Sequence, residues 1–116
     1  MKIISKSVPK EEILKEHNHF FKNMIKAVVD LERQVVALDG ELHADLEALL
    51  IEEGSRQEDL WGINLYLEKP SEERIEYTAL INIRPSQDNP SMEIENRQTR
   101  KKIGELVNKL IILCIN

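Results

Sequence analysis

Two groups of side chains have the types and spacing for chemistry. The first is Glu41, His43, Asp45 and Glu47. On a helix, His43 and Glu47 stand four residues apart on one face, a spacing that lets two side chains share a ligand. A structural or catalytic metal normally needs a third protein ligand, which the helical reading does not supply. On a strand all four would line one face. His43 would serve equally as a general base, oriented by Glu41 or Asp45. The second group is Asn64, Asn82 and Arg84, followed by Ser86 and Gln87. Arginine recognises a carboxylate or phosphate through two parallel hydrogen bonds, and asparagine offers both donors and acceptors. Together they describe a site for a small polar or anionic ligand.

The second group depends on a hairpin. Trp61 to Leu67 alternates apolar and polar residues, and so does Ile75 to Arg84, across a turn at Pro70-Ser71. If Glu68 and Arg74 flank the turn, Asn64 opposes Thr78 and Leu60 opposes Asn82, so Asn64, Asn82 and Arg84 project from one side.

The remaining elements follow from periodicity. Lys2 to Lys6 reads as a strand and Pro9 to about Lys22 as a helix, with Asn23 as its left-handed end. Ile25 to Leu31 and Val35 to Leu38 form a Val- and Ile-rich hairpin with a long or bulged turn. Glu41 to Glu53 fits a helix by propensity, stopped by Gly54, although its alternation also suits a strand. Asn96 caps a last helix with Ile103, Leu106, Val107 and Leu110 on its apolar face. The order β-α-β-β-α-β-β-α predicts an α+β domain over residues 1–116, with a mostly antiparallel sheet of about five strands and helices covering one face.

Composition excludes several classes. Apolar residues make up 41% and charged residues 32% of the 116-residue chain, and the apolar positions are periodic, which argues against disorder. The net charge of −5 argues against general nucleic-acid binding, which wants a basic face. No apolar run approaches the about 20 residues of a membrane span. A single cysteine, Cys114, fits a reducing, cytoplasmic setting. No signature identifies a cofactor. His17-Asn18-His19 spells a nuclease-like tripeptide, but on a helix the two histidines point roughly 200° apart. The apolar tail Leu110–Ile115 suits a buried end or a homodimer interface.

Three stretches together resemble a family of small prokaryotic proteins known only as a domain of unknown function. They are Gly40-Glu41-Leu42-His43-Ala44-Asp45, then Asp59-Leu60-Trp61-Gly62-Ile63-Asn64 after Gly54-Ser55, then Ile81-Asn82-Ile83-Arg84-Pro85-Ser86-Gln87. The resemblance spans nearly the whole chain and implies that these polar motifs belong together; it brings no activity or cofactor. It also implies a second glycine where this chain has Asp39. The residues themselves favour a binding or regulatory module using Asn64, Asn82 and Arg84. The alternatives are a small hydrolase or lyase using His43 with Glu41 or Asp45, with or without a metal, and a homodimeric interaction protein without catalysis.

Overall fold

The computed structural model describes residues 1–112. A five-stranded antiparallel sheet runs through the centre. In chain order its strands are β1 (Lys2–Ile4), β3 (Ile25–Asp30), β4 (Val35–Leu38), β5 (Leu60–Leu65) and β6 (Ile75–Glu76), and in space they lie β1-β4-β3-β5-β6. β2 (Val8–Pro9) pairs in parallel with β7 (Ile111–Ile112) as a separate two-stranded ribbon. The helices are α1 (Lys10–Glu16), α2 (His43–Glu52) and α3 (Arg97–Leu110).

The β3–β4 hairpin forms where Val and Ile favour a pleated, buried surface. Its wide turn is held by Asp30, whose carboxylate accepts the backbone N–H groups of Glu32 and Arg33, and closes through Gln34 at φ 58°. Asp30 is itself fully buried. Its second oxygen accepts the Ser55 hydroxyl at 2.5 Å, as a buried charge requires.

α2 is a helix, as its propensity favours. Gly54, at φ 105°, stops it with backbone bonds from Gly54 to Ile51 and from Ser55 to Leu50. α3 begins at Asn96, whose side chain accepts the Thr99 N–H at 3.0 Å.

Both sheet faces are covered, rather than one. Ala27, Val29, Trp61 and Ile63 pack with Ile13 of α1 and with Ile103, Leu106 and Leu110 of α3. The alternate residues Val28, Ala37 and Leu60 pack on Leu46 and Leu50 of α2. The cause lies in connectivity: β4 and β5 are parallel to each other, with β3 between them, so the segment joining them must cross one face.

Two elements differ from expectation. α1 ends at Glu16, not near Lys22, with His17 rather than Asn23 at its end. Beyond it, the Asp39 carboxylate accepts the His19 backbone N–H at 2.8 Å and lies 2.5 Å from His19 Nδ1. This tie holds residues 17–24 off the helical path, and His17 and Asn18 are weak helix formers that resist little.

The second difference is the partner of β5. β6 stops at Glu76, with Asn64 opposite Glu76 and Leu65 opposite Ile75. Past that point the chain pairs elsewhere: Ile94 donates to Tyr77 O and Ala79 to Met92 O. It then turns through a short 3-10 segment, Leu80–Asn82.

Gly62 is why the chain can lie so close there. A Cβ on Gly62 would stand 2.6 Å from Ala79 Cβ and 3.0 Å from Ile81 Cγ1.

No helix among the described residues is long and apolar enough to cross a membrane. Of the apolar tail, Leu110 and Ile111 are buried against the core; Leu113, Cys114 and Ile115 lie outside the described residues.

Candidate functional site

The structure separates the residues that sequence placed together and joins others. Asn82 is fully buried. Its side-chain oxygen accepts the Gly62 N–H at 2.8 Å, and its amide donates to Gly62 O at 2.9 Å. One asparagine amide therefore does for Gly62 what a neighbouring strand would have done, at the place where β6 has ended. Asn89 extends this network, donating to the carbonyls of Asn82, Ser91 and Glu93. Sequence reasoning missed Asn89, because its role appears only when the 79–95 loop is folded.

Arg84 is also committed. It is 8% exposed, stacks on Trp61 with its guanidinium carbon 5.0 Å from the ring centre, and donates to Ile81 O at 3.0 Å. It forms an ion pair with Glu47 of α2 at 3.1 Å. Burial pulls its pKa down and Glu47 works against that shift. Gln87 donates to Glu58 O, and Ser86 is exposed. Of the five proposed anion-site residues, only Asn64 is left facing an open groove.

That groove has a volume of about 390 Å³. Its walls are the start of α2 (Leu42, His43, Ala44), the head of β3 (Met24, Lys26), the 78–81 segment and Met92, with Asn64 of β5 among its lining. The rim is apolar and open: Leu80 is 70% exposed, and Leu42 and Met92 are exposed as well.

His43 is the first residue of α2, beside Ile63, because α2 enters over the sheet there. Its Nε2 lies 2.8 Å from the Ile63 carbonyl oxygen. A carbonyl only accepts, so Nε2 carries the proton and Nδ1 holds the lone pair in the neutral ring. Burial lowers the His43 pKa; the Ile63 carbonyl opposes this, the Lys26 charge adds to it, and the Asn64 side chain and the Glu76 charge oppose it.

Glu41 and Asp45 are exposed and take no part in orienting His43, which is held by a backbone carbonyl instead. Among the described residues, no three His, Cys, Asp or Glu side chains come together in a way that could hold a metal ion. The reason is helical geometry: α2 begins at His43, so Asp45 and Glu47 fan out around the helix while Glu41 stands before it.

Asn64 stands beside this ring. It is 8% exposed. Its amide donates to Glu76 Oε1 at 2.6 Å and to Thr78 O at 3.3 Å. Its side-chain oxygen, although buried, has no hydrogen-bond partner among the described residues. His43 and Asn64 therefore meet, whereas Arg84 lies with Glu47, one helical turn further along α2.

No curated protein and no solved structure matches this chain. A family model described as "Protein of unknown function (DUF5674)" matches residues 2–110, and the chain belongs to that family.

Proposed function

We propose that the protein is a small-molecule binding module whose site is the groove between the start of α2 and the 78–81 segment. One observation carries this reading. Exposed leucine and methionine side chains, Leu42, Leu80 and Met92, surround a concavity of ligand size with His43 and Asn64 in its lining. Apolar surface left open around a few convergent polar groups is the usual composition of a ligand site. The groove is favoured over the anion site expected at Asn82 and Arg84, since the Asn82 amide is held by Gly62 and Arg84 is paired with Glu47, with only its Nη1 left without a partner among the described residues.

Nile red, an uncharged dye that fluoresces in apolar surroundings, tests the groove directly. Its emission should rise and shift to the blue on adding the protein. Leu80→Glu should remove most of that change while leaving the melting temperature in place, because Leu80 is 70% exposed and exposed substitutions seldom matter to stability. An unchanged dye response in Leu80→Glu would place the apolar site elsewhere.

A further inference from the structure

We propose that the groove selects an uncharged ligand that presents an –NH2 donor, such as a carboxamide or an amino-substituted aromatic ring, to Asn64 and His43. The proposal rests on the groove being the binding site, and it concerns which chemistry the groove accepts.

Asn64 fixes the first half. Its amide nitrogen points at a carboxylate and a carbonyl, Glu76 Oε1 and Thr78 O, and both are acceptors. Turning the amide over would set oxygen against oxygen at both contacts, so the side-chain oxygen is the atom left without a partner. A buried acceptor without a donor carries a cost that a ligand N–H relieves.

His43 fixes the second half. With Nε2–H spent on Ile63 O, Nδ1 of the neutral ring is an acceptor, and it has no protein donor among the described residues. Two acceptors thus stand side by side, and an –NH2 group carries one hydrogen for each. A carboxylate would face two lone pairs. An ammonium would meet the like charge of Lys26 in the groove lining, and the nearby Glu76 carboxylate is already engaged by the Asn64 amide. The walls formed by Met24, Leu42, Leu80 and Met92 suit an apolar body behind the donor.

Three probes of nearly equal shape separate these chemistries: benzamide, benzoate and benzylamine in its ammonium form. Each is titrated into the isotope-labelled full chain near neutral pH, following the His43 ring, the Asn64 side-chain amide and the Met92 methyl group by NMR. Benzamide should shift all three signals, with the charged probes about tenfold or more weaker. His43→Phe keeps a ring in place but removes both nitrogens, the Nδ1 acceptor and the Nε2–H that holds Ile63 O. It should weaken benzamide by a similar factor, and by more than it weakens Nile red. Benzoate or benzylammonium binding as tightly as benzamide overturns the ligand class and leaves the groove reading standing. So does benzamide binding that His43→Phe leaves unchanged, or no groove signal with any of the three while Nile red binds. Loss of the Nile red response as well removes the groove reading too.

Discussion

Burial makes His43 favour its neutral form in the fold. Its pKa is lowered from 6.5, first by burial, with the Ile63 carbonyl resisting and Lys26 assisting. Between the folded value and 6.5 the unfolded chain binds the proton more readily, so acidification favours unfolding. This contribution to stability is complete above pH 6.5 and is lost as the pH falls through the folded pKa. Asp39 acts in a lower window. Burial alone would raise its pKa, but the His19 backbone N–H and ring outweigh that and bring it below 3.8. Its share of stability persists above pH 3.8 and disappears as the pH drops through the folded value. Thermal melts across pH should therefore show a first decline beginning just below pH 6.5 and a second near the bottom of the carboxylate range. His43→Gln should abolish the first and spare the second. A first decline that survives in His43→Gln would assign it to another group.

Among the elements, two glycines make a contrast that sequence could not draw. Gly104 lies inside α3, where glycine costs about 1 kcal/mol against alanine. A tight contact between helix and sheet would justify it, yet an added Cβ would meet only the Tyr77 hydroxyl, at 3.5 Å, an ordinary contact. Gly62 sits in β5 under Ala79 and Ile81, with no room for a methyl group. Gly104→Ala should raise stability by about 0.5–1 kcal/mol. Gly62→Ala should lower it by about 1–3 kcal/mol through overpacking. Urea denaturation of the two variants checks both signs, and a destabilised Gly104→Ala would show that the contact with the Tyr77 hydroxyl is not an ordinary one.

The same contrast explains what was legible. The β3–β4 hairpin, α2 with its Gly54 stop and α3 with its Asn96 cap each write their signal locally, in residues a few positions apart. The strand expected over 75–84 has the right alternation as well, but two distant features decide against it. The bare backbone at Gly62 lets the chain lie flat, and Met92 and Ile94 offer Ala79 and Tyr77 other partners. The end of α1 was hidden in the same way, since Asp39 is 20 residues from His19. In the candidate site, His43 and Asn64 were each visible as polar residues. Their meeting was not, because it depends on where α2 crosses the sheet.

At the scale of the whole molecule, two packed layers share one sheet, and β5 is buried along its entire length. Its outer hydrogen-bonding edge is covered by β6 only at Asn64 and Leu65. At Gly62 the cover is Asn82. Asn82→Ala would leave both backbone groups of Gly62 unpartnered in a buried place, at about 1–3 kcal/mol each. The expected loss is about 3 kcal/mol, measured as a shift in the urea midpoint at unchanged slope. A loss under about 0.5 kcal/mol, the ordinary range for a surface change, would show that water replaces the amide without penalty.

Asn82 has a further consequence for life in a crowded solution. A strand edge with a free N–H and C=O is a template for another chain, and Leu60-Trp61-Gly62-Ile63 is the apolar, uncharged kind of segment that self-associates when opened. The amide of Asn82 ends the sheet as a stopper ends a tube: it satisfies the edge and offers no onward pair. At Gly62 the protection of this edge thus rests on a single side chain.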